Sequence, residues 1–544
     1  MKTLIFSTLI IACLASCTMK KSADLLILHA KIYSVNTANT IYEAMAVKDG
    51  KILELGSSIA LEQKYKAREK LDAKGKFIYP GFIDAHCHFY SYGLGLQRVA
   101  LEGTSSFAEV LQRVKKFAST HQDSWIIGRG WDQNDWDIKQ FPDKQELDLM
   151  FPHTPVMLSR VDGHAALVNS EALRRAGINK NTKVDGGLIL LKNNEPSGIL
   201  IDNAMDLVKS IIPKPNALQR AQALLAAQRN CFAVGLTTVD DAGLSMDMVD
   251  LILKMQADKK LSMRIYAMLN GTMANIDALI KRRKIKTPHL NVCSFKFYAD
   301  GALGSRGALL LAPYSDEPNT QGLLLMHEDS LNNYAKILYD HQFQMCTHCI
   351  GDAANRLILD IYGKQLKRQN DRRWRIEHAQ VVAVEDRDKF KKWSIIPSVQ
   401  ATHATSDMYW AEERLGKERM PTAYAYKSLM QEHGMIAGGS DFPVEDINPL
   451  YGFYAAVARQ DKKGYPAGGF QMQDALTREE ALRSMTIWAA FANFEEHEKG
   501  SLEKGKYADF VILNEDIMQV PIHQVPGVKI WRTYLDGTCV YAGS

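Results

Sequence analysis

The sequence predicts an α/β fold: a (β/α)8 TIM barrel with an inserted α+β subdomain and a small β-sandwich built from both ends of the chain. Three observations carry this. Eight β-rich runs recur with helical spacers between them. Short strands broken by turns gather at the two ends of the chain. A long interruption with strands of its own follows the first of the eight runs.

At the N-terminal end the β signal lies in Leu25 to Leu28, Lys31 to Val35, Ala44 to Val47 and Lys51 to Leu55, with Asp49-Gly50 as a hairpin turn. The far end repeats the pattern in Ala508 to Leu513, Val528 to Leu535 and Cys539 to Tyr541, around the turn Asp536-Gly537. The economical arrangement is one composite sandwich, 17–80 with 497–544, and a barrel over 81–496 inserted between its halves.

The barrel strands are expected at Phe82 to His86, Gly235 to Val239, Arg264 to Met268, Cys293 to Tyr298, Phe343 to His348, Trp374 to His378, Ile395 to Val399 and Met435 to Gly439. Among the helices, Ser106-Phe107-Ala108-Glu109 reads as a capping box followed by the apolar face Phe107, Val110, Leu111, Val114 and Phe117. Thr477-Arg478-Glu479-Glu480 opens a second helix expected to run through Trp488. The segment from about 101 to 233 is too long for one helix. It carries Trp125 to Gly128 and Pro155 to Ser159 as strands, with a Gly- and Asn-rich stretch from Asn181 to Ser197. It is expected to roof the barrel mouth.

With 46% hydrophobic and 24% charged residues the composition is that of a soluble globular chain. A net charge of +4 and one short basic run, Lys281-Arg282-Arg283-Lys284, give no case for nucleic-acid binding. Residues 1–16 read as a signal peptide: Lys2, then the apolar stretch Leu4 to Leu14, then Leu14-Ala15-Ser16-Cys17, a bacterial lipoprotein pattern with lipid expected on Cys17. The competing reading is an ordinary secretory signal with a chance cysteine. The expected location is the bacterial cell envelope, periplasm-facing or at the surface, with membrane contact through the lipid anchor alone. Cys87, Cys231, Cys293, Cys346, Cys349 and Cys539 are too few for a disulfide framework in so large a chain. Cys346-Thr347-His348-Cys349 reads as strand packing, with a redox or zinc-ribbon role as its alternative.

The chemistry centres on Tyr79-Pro80-Gly81-Phe82-Ile83-Asp84-Ala85-His86-Cys87-His88. On a strand, histidines at i and i+2 share a face, which makes half a site for a divalent metal. Alone, such a pair is as readily a packed histidine and a surface one. Further polar residues fall at the C-terminal ends of the expected strands, where barrel enzymes place chemistry: Lys296, His348, His378 and Asp441. Each has a mundane alternative as a hydrogen-bonded structural residue or turn cap. Lys296 is the hardest to dismiss, because a buried cation in Cys293 to Tyr298 would cost several kcal/mol. A neutral amine there can take up carbon dioxide as a carbamate.

With these motifs the chain resembles the amidohydrolase superfamily, in particular the subgroup typified by N-substituted formamide deformylase (amidohydrolase family 3). The resemblance runs from Leu25 to Tyr541. It rests on the His86-Cys87-His88 motif, Arg129-Gly130-Trp131-Asp132, Arg160-Val161-Asp162-Gly163-His164, Lys296 to Gly301, His348 to Asp352, Arg375 to Gln380, Gly439 to Pro443 and Gly500 to Asp509. It implies that His86, His88 and Asp441 hold one metal and His348 and His378 a second. Carboxylated Lys296 would bridge them, with zinc the expected ion. It further implies that Asp441 acts as general base toward a metal-activated hydroxide. Two departures, Gln400-Ala401-Thr402-His403 and Cys349 after His348, alter the pocket beside the ligands and leave every ligand in place.

The activity so implied is hydrolysis of a carbon–nitrogen bond other than a peptide bond, in a small-molecule amide or an N-formyl or N-acyl amine. An ester or lactone hydrolase on the same site is the second reading. A catalytically inactive surface-binding lipoprotein is the third, and intact Lys296 and Asp441 argue against it. Substrate contacts are expected from Trp131, Asp132, Arg160, His164, Arg306 and His403, with Trp136 nearby. Core packing of the insert is the competing role for both tryptophans. A homodimer is the candidate assembly.

Overall fold

The computed structural model describes residues 20–120 and 124–543. The expected signal peptide and Cys17 lie outside the described residues. Among the described residues, no helix is long and apolar enough to cross a membrane.

Eight parallel strands form the barrel: β1 (Phe82–Cys87), β2 (Leu236–Leu244), β3 (Arg264–Asn270), β4 (Leu290–Tyr298), β5 (Gln344–Cys349), β6 (Arg375–His378), β7 (Ile396–Val399) and β8 (Ala437–Gly438). They neighbour one another in chain order, the simplest sequence for strands joined by outer helices. They are buried almost throughout, as parallel strands covered by helices must be. The helix Met246–Ala257 shows the packing, with Met248, Val249, Ile252 and Met255 on its covered face.

The seam between β8 and β1 is closed by Asp84, which accepts hydrogen bonds from Ser440 N at 3.0 Å and Ser440 Oγ at 2.6 Å. The Asp441 N–H donates to His86 O at 2.7 Å, and the His88 N–H to Phe442 O at 2.8 Å. Gly439 is required here: a Cβ would fall 2.5 Å from His86 N and 2.8 Å from the Asp84 carboxylate. The seam therefore joins the two segments that bear His86, His88 and Asp441.

Strands from both chain ends share a six-stranded sheet ordered Thr538–Ala542, Ile530–Leu535, Phe510–Leu513, Phe77–Pro80, Lys31–Tyr33 and Ile41–Tyr42. It faces a four-stranded sheet, with Leu25, Ile27, Met45 and Val47 packed against Ile78, Phe510, Ile512 and Tyr534. The four-stranded sheet has an edge, Tyr65–Asp72, that the sequence reading misses, and its residues YKAREKLD show why. An edge strand studded with charge resists further pairing and hides its β signal. Asp516 ties the two ends together, accepting from Lys31 Nζ at 2.8 Å and from Tyr79 Oη at 2.8 Å.

The insert folds on a six-stranded sheet ordered Gly187–Lys192, Glu195–Asp202, Ala165–Val168, Val156–Arg160, Ile126–Trp131 and Val99–Ala100. The Gly- and Asn-rich stretch is a hairpin whose turn residues Asn193 and Asn194 both take positive φ, 53° and 61°. Ser106 Oγ accepts from Glu109 N at 3.2 Å, while the Glu109 carboxylate reaches Ser105 N at 2.9 Å, one residue before the expected partner. The helix expected to run through Trp488 is two, Arg478–Ser484 and Ile487–Ala492. Thr486 breaks it with a non-helical backbone, and its hydroxyl donates to Leu482 O at 2.6 Å.

Candidate metal centre and active-site cavity

The C-terminal ends of the barrel strands and the insert enclose a cavity of about 910 Å³. At its floor His86, His88 and Asp441 place one ligand atom each within 4.8 Å of one another. Asp441 Oδ1 stands 3.2 Å from His88 Nε2 and 3.7 Å from His86 Nε2, buried and without a hydrogen bond. An orphaned carboxylate oxygen facing two imidazole nitrogens is the donor set of a divalent cation, so these residues fit the group.

The other predicted ligands converge on the same floor. Lys296 Nζ is 3.3 Å from His86 Nε2. The His378 ring centroid lies 4.8 Å from that of His86 and 4.6 Å from that of His348. His378 and Asp441 both hold positive φ, 73° and 62°, a conformation costly for non-glycine residues and concentrated at functional sites.

Partners around the floor decide which nitrogen each histidine presents. The Glu377 carboxylate meets His86 Nδ1 at 2.5 Å, so Nδ1 carries the proton and Nε2 is left with a lone pair. Gln400 Oε1 does the same for His378 Nδ1 at 2.7 Å. His348 Nε2 lies 3.4 Å from Gly301 O, which leaves Nδ1 to coordinate. Burial, then the neighbouring Lys296, pushes His86 down to about 4, and burial holds His88, His348 and His378 below the usual histidine range. These four imidazoles are therefore neutral near neutral pH, the form a metal ion requires. Burial pushes the Asp441 carboxyl up, but His88, then His86 and His378, outweigh it and hold the group well below the carboxylate range.

Beneath the floor Arg375 joins four strands. It pairs with Asp240 at 3.0 Å and Glu377 at 2.7 Å, donates to Ser398 Oγ at 2.8 Å, and also reaches Ala85 O. Asp300, just after Lys296, accepts backbone N–H groups of Leu309, Ile350 and Gly351 and so fixes the turn that follows His348. Sequence reasoning passes over Glu377, Gln400 and Asp300 as site residues. Each lies within two positions of a predicted ligand or in a segment already quoted, and only contact geometry shows that Glu377 and Gln400 hold histidine rings and that Asp300 holds the turn after His348.

The expected substrate contacts divide. Asp132, Arg160, His164 and His403 line the cavity. His403 Nε2 is 3.8 Å from Asp441 Oδ2. The Arg160 guanidinium, however, is held by Asp132 and Asp162 and donates to Gln133 Oε1 at 2.9 Å, so its charge is neutralised within the protein. His164 Nδ1 is bound to Asp202 at 2.7 Å, and its ring lies 5.3 Å from that of His348. Trp131 does not reach the cavity. It is 1% exposed in the insert core beside Trp136, and its indole N–H donates to Leu158 O at 2.7 Å. Arg306 does not reach it either, because Asp316 holds the guanidinium at 2.8 Å. Cys346 and Cys349, three apart on a strand, point to opposite faces into separate apolar clusters, and both are free thiols.

A (β/α)8 barrel with this histidine, lysine and aspartate floor defines a metal-dependent hydrolase. A model of the amidohydrolase family matches residues 69–541, and the chain belongs to that family. It is similar to the protein LONG AFTER FAR-RED 3 of Arabidopsis thaliana, with 34% identity over 95% of this chain and 92% of that one. It is 25% identical to N-substituted formamide deformylase of Arthrobacter pascens, over 96% of this chain and 99% of the relative. Among solved structures, an uncharacterized metal-dependent hydrolase from Pyrococcus horikoshii superposes with a TM-score of 0.76 at 26% identity, covering 92% of this chain and 99% of that one.

Proposed function

We propose that this hydrolase cleaves a carbon–nitrogen bond other than a peptide bond, in a small-molecule amide or an N-formyl or N-acyl amine. The observation that carries the reading is the convergence of His86, His88 and Asp441 with Lys296, His348 and His378 on one cavity floor. The likeness to N-substituted formamide deformylase supports the bond type. His86, His88 and Asp441 would hold one divalent ion, and His348 and His378 a second, zinc being the expected identity. Lys296 would bridge them as a carbamate. Lys296 is 1% exposed, has no carboxylate ion pair among the described residues, and places Nζ 3.3 Å from His86 Nε2, between the two groups of ligands it would bridge.

When bound, such ions polarise a carbonyl and bring the pKa of a water toward neutrality. Asp441, ionised and on the cavity floor, is placed to accept that water's proton and return it to the departing nitrogen. A C–O bond forms, the C–N bond breaks, and the products are a carboxylate and an amine. Cavity residues of the insert would hold the rest of the substrate.

Elemental analysis of the purified mature chain tests the centre. About two ions per chain, falling to one or fewer in Lys296→Ala, is the expected result. A folded, metal-supplied chain that binds none overturns the reading. A panel of N-formyl and N-acyl amines with matched esters tests the bond, and turnover of esters alone overturns the carbon–nitrogen assignment. The proposal also places the mature chain in the bacterial cell envelope, anchored through lipid on Cys17. The sequence pattern Leu14-Ala15-Ser16-Cys17 is its support. Cys17→Ser should move the protein from membranes to the soluble fraction, and equal fractionation of both forms refutes the anchor.

A further inference from the structure

The cavity contains an arginine that the chemistry above leaves unused. In the insert strand Ile126–Trp131, Ile126 packs in the apolar cluster of Val99 and Leu158, whereas Ile127 packs on the other side with Trp125. Strict alternation would send Trp131 to the side of Ile127. It packs with Ile126 instead, because the pairing with Val156–Arg160 shifts register between Arg129 and Trp131. The extra residue is Gly130, at φ +114°, where a Cβ would lie 2.4 Å from the Glu102 side chain. This bulge anchors Trp131 in the insert core and leaves Arg129 lining the cavity.

Arg129 forms no ion pair with a carboxylate among the described residues, in contrast to Arg160 with its two aspartates and Lys209 with Asp206 at 3.6 Å. Its Nη2 donates to Val161 O at 2.7 Å, and Nε is buried with no partner. A guanidinium so placed has donors left for a carboxylate, which it binds bidentately. It lines the same cavity as His88, Lys296 and Asp441. Several acids of the cavity wall are paired elsewhere: Asp132 and Asp162 with Arg160, Asp202 with His164 and Asp206 with Lys209.

We infer that Arg129 is the anion-recognition residue of the cavity, and that the substrate is an acylated amine bearing a carboxylate. The substrate class rests on the hydrolase reading above; the anion site itself rests on the geometry of Arg129.

Two measurements separate them. The first compares kcat/KM for N-formyl and N-acetyl amino acids with that for their neutral carboxamides. The second is titration calorimetry of the chelator-treated, metal-free protein with the same pairs. The wild type should favour the carboxylate by about 10- to 100-fold in both. Arg129→Gln should collapse the ratio toward one, and Arg129→Lys should keep part of it. An equal ratio in wild type and Arg129→Gln, or a wild-type preference for the neutral partner, overturns the inference. A calorimetric preference without turnover upholds the anion site while the hydrolase reading fails. Where Arg129→Gln does not fold, Arg129→Lys still tests the residue, an undiminished ratio there overturning the assignment, and the wild-type comparison tests the substrate class.

Discussion

Glu377 Oε2 lies 2.5 Å from His86 Nδ1, with both side chains wholly buried. The carboxylate fixes the tautomer of the imidazole, so its basic nitrogen points at Lys296 and Asp441. Burial pushes the Glu377 carboxyl up, but Arg375, then His86, outweigh that and keep it strongly acidic. A carboxylate behind a metal-ligating histidine raises the basicity of the ligand and restricts its rotation. In this chain the carboxylate sits two residues along its strand from the arginine that holds it and one residue before another predicted ligand.

Glu377→Gln keeps the shape of the side chain and removes its charge. Metal affinity, measured by competition with a chromophoric chelator, should fall by about 10- to 100-fold. Glu377→Ala should in addition lose about 3–5 kcal/mol of stability, because Arg375 is left buried beside an empty site. Equal affinity in the Gln variant would show that Glu377 does not tune the centre.

Asp441→Asn retains an oxygen that can face the cation but cannot accept a proton. Single-turnover rates on the best amide substrate should drop by about 10²–10⁴ if Asp441 is the base. Wild-type turnover in that variant would remove Asp441 from the mechanism.

How much of this was legible beforehand follows from how each feature is written in the chain. The barrel strands are apolar runs bounded by helical spacers, so all eight are found within a few residues of their expected bounds. His86, His88, Lys296, His348, His378 and Asp441 stand at strand ends, where position in the fold marks them. Tyr65–Asp72 is too charged to read as a strand, and the hairpin over 187–202 is masked by its glycines and asparagines. The substrate contacts were harder for a different reason. Whether Arg160 or Arg129 is available depends on which carboxylates surround it, and those come from residues up to 28 positions away. The switch of Trp131 into the insert core depends on one bulge.

The His164–Asp202 pair gives the protein a pH-dependent element at the cavity wall. Burial pushes His164 down, but the hydrogen bond and charge of Asp202 outweigh it, and its pKa rises above 6.5. The folded state thus binds this proton more tightly than the unfolded state. The stability it adds is fully present below about pH 6.5 and is lost as pH rises through the raised folded value. Denaturant unfolding of wild type and His164→Gln should differ by on the order of 1 kcal/mol at acidic pH, with the gap closing at alkaline pH. A gap that widens with pH would contradict the sign.

The terminal sheets are joined to the barrel by a charge cluster whose removal should be felt far from the metal floor. Arg264 opens β3 and is 1% exposed; it binds Asp509 at 2.6 and 3.0 Å and Asp536 at 2.5 Å, and stacks over Tyr507 at 3.9 Å. Asp509 and Asp536 belong to the C-terminal segments, one of which pairs with Phe77–Pro80, the strand that runs straight into β1. Breaking a buried pair strands its partners, so Arg264→Met should cost about 3–5 kcal/mol by denaturant unfolding. Adding Asp509→Leu should recover part of that loss, since the second change removes a buried charge left without its partner. Hydrogen exchange should rise first in Phe510–Leu513 and Ile530–Leu535, with β4 to β6 still protected. A loss below about 1 kcal/mol, or exchange rising uniformly across the barrel, would mean that the sheets are held by apolar packing and the cluster is incidental.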